Sequence, residues 1–208
     1  MQTKEALKII GGSLSKPSKM PGWSIGLPAK ECKTGGKLQK VPGSVCYDCY
    51  ALKGCYIFKV VQDAQYRRLA AITGDKWVEA MAHLINSKKP DVFRWHDSGD
   101  IQGVWHLEKI AEVARHLPHI KFWLPTREYR IVREWMQFGT KPDNLTIRLS
   151  AYMMNGKPPV VAKTLGLPTS GVSNDSFSCP APSQGNECKD CRACWDNDVE
   201  NINYNGKN

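Results

Sequence analysis

The residues most able to do chemistry in this chain are its eight cysteines, which form two groups with no cysteine between residues 55 and 179. The N-terminal group is Cys32, Cys46, Cys49 and Cys55, and the C-terminal group is Cys179, Cys188, Cys191 and Cys194. Thiols that serve only as small apolar residues would be scattered through the central strands and helices. These cysteines instead lie among loop-forming residues, and that arrangement favours ligation of metal.

The C-terminal group has the spacing C-x8-C-x2-C-x2-C. Gaps of two residues let successive thiolates reach one metal centre from a tight turn, and both a tetrahedral zinc ion and a four-iron four-sulfur (4Fe-4S) cluster use such gaps. The C-x2-C-x2-C run, together with Pro180 directly after Cys179, is similar to the cysteine pattern of bacterial ferredoxins. We therefore favour a 4Fe-4S cluster here, with zinc as the alternative.

The N-terminal group has the spacing C-x13-C-x2-C-x5-C. Cys46 and Cys49 form a knuckle, whereas either Cys32 or Cys55 could supply the next ligand. Four bound thiolates would close the metal centre. Three would leave one iron with an open position for chemistry. A third arrangement is that both groups meet in space and share one centre, since the two ends of a domain often lie close together.

Polar residues follow each of three apolar segments in the middle of the chain, and they form a second set of candidates. The candidates for catalysis are His96, Asp100 and Arg127, and those for cofactor binding are Ser98, Gly99, Asp100, Thr126, Ser150 and Tyr152. Gly99 would allow close approach of a ligand, and Arg127 offers a planar fork for a carboxylate or phosphate. In the alternative reading, Asp97 or Asp100 caps a helix and Arg127 pairs with Glu128 or Glu134. The three remaining histidines near the middle helix are interpreted as surface or satisfied residues: His106, His116 and His119.

The elements that must position these residues follow from hydrophobic periodicity. Helical spacing of apolar residues predicts two helices between residues 55 and 90. Beyond them the pattern predicts strands at 92–95, 120–124 and 145–152, separated by helices over 107–117 and 131–138. Strand–helix alternation implies parallel strands joined by right-handed crossovers. We expect an α/β fold, either a partial, incomplete parallel barrel or an open parallel sheet, whose carboxyl strand ends carry the polar candidates.

Length and composition limit the classes of protein that remain. The 208 residues suit a single domain, in which residues 1–55 form a basic loop-rich segment, 56–152 an α/β core and 153–208 a second loop-rich segment. No apolar run is long enough to span a membrane, and no secretory signal is evident. We therefore expect a cytoplasmic protein, in which a reducing environment disfavours disulfides.

Four short motifs, found in this order along the chain, resemble one family. They are KMPGWSIGLPAKEC, CYDCYALKGCY, FRWHDSGD and CPAPSQGNECKDCRACW. Together they resemble the phage gene product 88 family, whose members look like small relatives of radical S-adenosylmethionine enzymes. The resemblance implies a phage or prophage origin, a location in the host cytoplasm, a partial α/β barrel and a 4Fe-4S cluster near Cys46 and Cys49, with Cys32 or Cys55 completing the set. It also implies that Ser98, Gly99 and Asp100 contact the amino group of S-adenosylmethionine, and that the C-terminal cysteines hold an auxiliary cluster. The C-x3-C-x2-C triplet typical of that superfamily is absent.

The leading hypothesis from the sequence is an iron-sulfur enzyme that performs redox or radical chemistry on a small molecule or nucleobase, with flavodoxin or ferredoxin as an electron donor. A second hypothesis is a zinc-stabilised nucleic-acid-binding module, because the formal net charge is +9 and the first 55 residues carry nine lysines against three acidic residues. A third is a non-catalytic iron-sulfur protein for electron transfer or host interaction.

Overall fold

The computed structural model describes residues 1–206, which build one six-stranded sheet whose strands lie in chain order. Every neighbouring pair is parallel. The strands are β1 (Trp23–Ile25), β2 (Val92–Trp95), β3 (Lys121–Thr126), β4 (Leu145–Ser150), β5 (Thr169–Ser173) and β6 (Asn201–Asn205). Strands β1 and β6 are the two free edges, so the sheet is open. This confirms the predicted α/β fold with a partial barrel or open parallel sheet.

Helices precede β1 and connect the later strands, and most of them pack against one face of the sheet. The helices are α1 (Thr3–Ile9), α2 (Lys33–Leu38), α3 (Lys59–Ala71), α4 (Trp77–Ser87), α5 (Val104–His116), α6 (Tyr129–Trp135) and α7 (Val160–Leu165). Helix α1 packs on α4, α4 on α5, and α5 on α6. The row of packed helices covers the face that carries the apolar core.

Alternation of side chains along the strands gives the sheet two different faces. In β2 and β3, Phe93, Trp95, Phe122 and Leu124 are buried in the core with the helices. The residues between them, including Arg94 and Trp123, line a cavity on the opposite face. The helix-covered face therefore supplies most of the hydrophobic stabilisation, whereas the other face is free to carry polar chemistry.

The three central strands and the helices α3 to α6 lie where hydrophobic periodicity predicts them. The end segments hold more regular structure than predicted, because 1–55 contains α1, β1 and α2 while 153–208 contains α7, β5 and β6. Strand β1 has only three residues, and β5 (TSGVS) and β6 (NINYN) are polar. A strand that is short or polar has no recognisable pattern in the sequence. These three strands are stabilised by pairing with their neighbours in the sheet.

In the part of the chain that the structure describes, no helix combines the length and the apolar composition that crossing a bilayer requires.

Candidate functional site

A cavity of about 620 Å³ opens at the carboxyl ends of the parallel strands. Its lining includes residues that follow β1, β2, β3 and β4, because parallel strands bring their carboxyl ends to one edge of the sheet. The volume is in the range of small-molecule binding sites. The three predicted catalytic candidates all lie on its wall: His96, Asp100 and Arg127.

Three of the four N-terminal cysteines converge at this cavity: Cys32, Cys46 and Cys49. Cys32 directly precedes α2, and Cys46 is buried. Gly35 in α2 makes room for both sulfurs, because a β-carbon at this glycine would lie 3.7 Å from the sulfur of Cys32 and 3.7 Å from that of Cys46. The glycine thus keeps open a space between the thiols that a larger residue would fill.

The surroundings of these thiols are strongly acidic. Burial raises the pKa of Cys32, and nearby negative charge raises it further, from Asp100, Cys49, Cys46 and Glu128. Burial also raises the pKa of Cys46, although the charge of Arg127 opposes this rise. Deprotonated thiols at this position would therefore need a positively charged partner, as a metal centre provides.

Cys55 lies apart from the other three. It is exposed and is not part of the cavity wall. It belongs to a short 3-10 helix, Gly54–Ile57, that leads into α3. The sequence left Cys32 and Cys55 as equal candidates, and the folded chain brings only Cys32 to Cys46 and Cys49.

Asp100 joins the ends of β2 and β3. Its Oδ1 accepts hydrogen bonds from Thr126 Oγ1 (2.6 Å) and the Ile101 N–H (2.8 Å), and its Oδ2 accepts one from the Arg127 N–H (3.0 Å). Burial raises the pKa of Asp100 to about 6, and the three hydrogen bonds oppose the rise. The carboxylate is therefore largely occupied in holding the rim of the cavity, and it caps no helix.

Arg127 faces the cavity without a carboxylate partner among the described residues. Its Nε donates to the carbonyl of Ala151 (3.1 Å), so the rest of the guanidinium remains available to a ligand. Neither ion pair of the alternative reading, with Glu128 or with Glu134, forms among the described residues, and Glu128 binds Thr34 instead. Its carboxylate accepts the Thr34 N–H (2.7 Å) and hydroxyl (2.8 Å), and this fixes α2 and the adjacent Cys32 to the end of β3.

The segment from Ser98 to Asp100 lies against the residues after β1. The Ser98 hydroxyl donates to the carbonyl of Leu27 (2.7 Å) and accepts from Gln65 (3.2 Å). Gly99 has a φ of +81°, and a β-carbon there would lie 2.6 Å from that of Leu27. The sequence predicts that this glycine allows close approach of a ligand. Gly99 does line the cavity, but the group that approaches it closely is Leu27 of the protein itself.

His96 ends β2 in a left-handed conformation, with a φ of +60°. Its ring is buried on the cavity wall, and neither ring nitrogen has a hydrogen-bond partner in the protein. Burial lowers the pKa of His96 to about 3, although the nearby backbone carbonyl of Ile25 opposes the fall, so the ring is neutral near pH 7. An unpartnered neutral imidazole at a cavity wall can donate to or accept from a bound molecule.

The remaining cofactor-binding candidates differ in position. Ser150 lines the cavity and shares a hydrogen bond with Ser170 (2.9 Å). Thr126 is buried behind the wall, where it bonds Asp100. Tyr152 also lies outside the lining; its ring stacks on Tyr129, and its hydroxyl donates to the carbonyl of Arg127 (3.1 Å). Thr126 and Tyr152 thus act on the site through Asp100 and Arg127.

The C-terminal cysteines form a separate group on the cavity side of the sheet. The charges of Cys179 and Cys191 both raise the pKa of Cys188, after burial as the largest cause, and those of Cys179 and Cys188 also raise the pKa of Cys194. Burial brings the pKa of Cys194 to about 11. Cys188 is therefore within electrostatic range of the other three thiols, and none of the four lines the cavity itself.

Buried polar contacts fix this second group beneath the cavity. Arg148 is fully buried in β4 and donates to four backbone carbonyls, those of Thr169, Ala193, Asp196 and Val199. Next to Cys194, Trp195 donates to the carbonyl of Phe93 (2.8 Å) and packs on Trp123. These contacts hold the C-terminal loop against the face of the sheet that carries the cavity.

Among the residues of the cavity wall that are absent from the sequence candidates are three large side chains on the strands: Arg94, Trp123 and Tyr204. Tyr204 joins the two thiol-bearing regions, because it lines the cavity while its hydroxyl shares a hydrogen bond with Cys194 Sγ (3.3 Å). Arg94 carried a usable signal, since a lone arginine in an apolar parallel strand (VFRW) needs a special reason to be there. Tyr204 carried none, because its strand was not predicted.

Within the described residues, no set of three or more His, Cys, Asp or Glu side chains is arranged to hold a metal ion as it stands. Four thiolates on one tetrahedral zinc ion would have their sulfurs about 3.8 Å apart. A 4Fe-4S cluster attaches each thiolate to a different iron and spreads the sulfurs more widely. In both cysteine groups the sulfurs thus lie farther apart than in a preformed site for a single metal ion.

Comparison with known proteins gives one match: the model of a family described as Gene product 88 matches residues 2–197. Searches of the curated proteins and of the solved structures found no significant match.

Proposed function

The chain belongs to the gene product 88 family, and we propose that it is an iron-sulfur enzyme of the radical S-adenosylmethionine type. In this proposal Cys32, Cys46 and Cys49 hold a 4Fe-4S cluster, and its fourth iron is open to the cofactor. The observation that carries the proposal is the convergence of these three thiols on the cavity, with Cys55 apart and exposed. A phage origin is part of the same proposal.

The residues around the three thiols fit such a group. Gly35 keeps space between the sulfurs of Cys32 and Cys46. The carboxylates of Asp100 and Glu128 add negative charge near Cys32. Three thiolates and two carboxylates would repel one another, an effect that Arg127 opposes at Cys46, and a cationic metal core would remove that repulsion. The wider sulfur spacing of a cluster favours it over a single zinc ion at this site.

A cluster of this kind, when bound, supplies one electron for reductive cleavage of S-adenosylmethionine, which yields methionine and a carbon radical that abstracts hydrogen. The protein's own part is to bind, orient and enclose the reactants. The free side of the Arg127 guanidinium suits the cofactor's carboxylate, to which it can donate two parallel hydrogen bonds. Ser150 adds a hydroxyl on the same wall. Asp100 and Glu128 hold Arg127 and α2 in place.

His96 would contact the substrate. Its ring is neutral, and neither ring nitrogen has a hydrogen-bond partner in the protein. A substrate N–H or hydroxyl could therefore form a hydrogen bond with the ring without displacing a protein group. The substrate class in this proposal is a small molecule or nucleobase, in keeping with a cavity of about 620 Å³. Flavodoxin or ferredoxin would supply the electron.

The C-terminal cysteines would hold a second, four-thiolate cluster, with zinc as the alternative occupant. Support comes from the proximity of Cys188 to Cys179, Cys191 and Cys194 and from the fixed loop that carries them. Tyr204 would then contact both the cavity and a cluster ligand. Outer contacts of this kind orient metal ligands and adjust their chemistry.

Anaerobic reconstitution with iron and sulfide, followed by iron counting and electron paramagnetic resonance, tests the proposal. We expect two 4Fe-4S clusters in the unaltered protein, loss of one in Cys32→Ser, and retention of both in the matched variant Cys55→Ser. S-adenosylmethionine should alter the spectrum of the cluster that Cys32→Ser removes, and the reduced protein should release 5'-deoxyadenosine. Bound zinc without iron, or loss of a cluster in Cys55→Ser, would contradict the assignment.

A further inference from the structure

Arg94 is a charged residue at the centre of the sheet. It occupies the third position of β2, between the buried Phe93 and Trp95, and pairs in register with Ser24 and Trp123 of the neighbouring strands. Its side chain points away from the apolar core and lines the cavity. A parallel strand inside a sheet is normally apolar throughout, so the reason for a guanidinium here should lie in the cavity that it faces.

The contacts of Arg94 within the protein do not neutralise its charge. Its guanidinium lies 4.7 Å from the centre of the Trp123 ring and donates a long hydrogen bond of 4.0 Å to the sulfur of Met20. Nε has no partner, and no carboxylate among the described residues lies within 4.0 Å of the side chain. The Tyr50 hydroxyl lies close enough to accept a hydrogen bond from it, and the charge of Asp97 acts on it at longer range.

An arginine in this state is expected to bind an anion. The guanidinium stays protonated even when buried, and burial of a charge is costly unless it is paired. Stacking on Trp123 fixes the plane of the group, so its unused N–H groups present a flat fork to the cavity. Such a fork matches the two oxygens of a carboxylate or phosphate.

We propose that Arg94 binds the anionic group of the substrate, and that the substrate is therefore a small molecule carrying a carboxylate or a phosphate. As a statement about substrate, this rests on the proposed function. Arg94 lies within β2, whereas Asp100 and Arg127 lie beyond the strand ends next to the three thiols. The anion would thus bind deeper in the cavity than the cofactor, and the opposite end of the substrate would point toward the thiols.

A competing role for Arg94 is to balance the charge of the C-terminal thiolates. Its charge lowers the pKa of Cys188, as does that of Arg192, although burial and the neighbouring thiols raise it more. If Arg94 had this role, metal binding at the C-terminal group would require Arg94, whereas binding of an anion in the cavity would not.

The experiment measures binding of inorganic phosphate and, separately, of succinate to the reconstituted protein by titration calorimetry, with ionic strength held constant by sodium chloride. Quenching of tryptophan fluorescence gives a second readout, because Trp123 contacts Arg94. The variants are Arg94→Gln, Arg94→Lys and the control Arg130→Gln, whose side chain is exposed on α6. The probe that binds more tightly identifies the anionic group as phosphate or carboxylate.

We expect Arg94→Gln to weaken the tighter probe by about tenfold or more, because a hydrogen bond to a charged group is lost. Arg94→Lys should weaken it less, and Arg130→Gln should leave it unchanged. Iron content should be the same in all four proteins, and the affinity for S-adenosylhomocysteine should also be unchanged in Arg94→Gln.

Three outcomes would overturn the assignment: equal affinity in Arg94→Gln and the unaltered protein, loss of C-terminal iron in Arg94→Gln, or weaker binding of S-adenosylhomocysteine in that variant. The second would make Arg94 a counter-charge for metal, and the third would place it in the cofactor site. Because anion affinity is measured without turnover, failure of the iron-sulfur proposal appears separately, as absent iron in the unaltered protein.

Discussion

At the scale of single residues, two buried histidines lie side by side next to the cavity. The rings of His96 and His106 are 5.2 Å apart between centroids, and both are buried. His106 accepts a hydrogen bond at Nδ1 from the Gln102 N–H (3.2 Å), while its Nε2 has no partner. Burial lowers the pKa of both rings. Folding therefore requires both imidazoles to be neutral.

Replacing His96 with Gln should make stability less dependent on pH. The folded pKa of His96 is about 3, below the unfolded value of about 6.5, so between these values the unfolded state binds more protons. Its contribution to stability is complete above pH 6.5 and is lost as pH falls. We expect the unaltered protein to lose about 2 kcal/mol from this residue between pH 7 and pH 5.

Urea denaturation of the metal-free protein at a series of pH values measures this effect. His116→Gln, at the exposed end of α5, controls for removal of a histidine as such. The stability of His96→Gln should fall less steeply from pH 7 to pH 5 than that of either the control or the unaltered protein. Equal slopes in all three proteins would show that His96 is already protonated in the folded state or is not buried.

At the scale of elements, Arg148 makes more hydrogen bonds between the sheet and the C-terminal loop than any other side chain described above. Arg148 lies in β4, and its two terminal nitrogens donate to carbonyls on β5 and on the loop that carries Cys194. A buried charge is tolerated here because the carbonyl oxygens around it are good acceptors. The same bonds satisfy the loop carbonyls of Asp196 and Val199 and add a second donor to that of Ala193.

Replacing Arg148 with Met should release that loop and destabilise the protein. The substitution keeps much of the side-chain volume but removes a hydrogen bond from each of four carbonyls, of which that of Ala193 keeps another donor, the Asp196 N–H. We expect a cost of about 3 kcal/mol in the free energy of unfolding. Hydrogen exchange should accelerate in residues 193–199, whereas strands β2 and β3 should remain protected. Arg133→Met, on the exposed surface of α6, is the matched control.

The measurements are urea denaturation and hydrogen exchange monitored by mass spectrometry. Unchanged protection of residues 193–199 in Arg148→Met would refute the role of Arg148 as an attachment point. A loss of stability as large in Arg133→Met would show that the effect does not come from the buried hydrogen bonds.

At the scale of the whole molecule, the sequence predicts the helix-covered face of the sheet more clearly than the face that carries the cavity. Phe93, Trp95 and Phe122 pack against helices with regular periodicity, so the central strands and helices were predictable. The grouping of the cysteines and of His96, Asp100 and Arg127 followed from their order along the chain.

The remaining parts of the site depend on contacts between residues far apart in sequence. Thr34 meets Glu128 across 94 residues, and Trp195 meets Phe93 across 102. Strand β6 exists because β5 offers it a pairing edge, and its sequence NINYN has no strand pattern of its own. The choice of Cys32 over Cys55, and the positions of Arg94 and Tyr204, could not be read from spacing alone because they result from these long-range contacts.

If the proposed metal centres are bound, the two faces of the sheet should respond differently to their removal. The apolar core between the sheet and the helices contains none of the eight cysteines. It should therefore remain folded without metal, unlike a zinc finger, whose small core cannot fold alone. Both cysteine-bearing segments should loosen, because their thiols would separate or become protonated once no cation balances them.

Hydrogen exchange on reconstituted and chelator-treated protein tests this expectation. Exchange should become faster in residues 32–58 and 179–196 of the metal-free protein, with β2, β3 and β4 unchanged, and reloading with iron and sulfide should restore the slower rates. Global loss of protection on chelation would mean that the metal centres hold the whole fold together. Equal exchange with and without metal would mean that the thiol groups are already fixed by protein contacts alone, such as the bonds from Glu128 to Thr34 and from Arg148 to its four carbonyls.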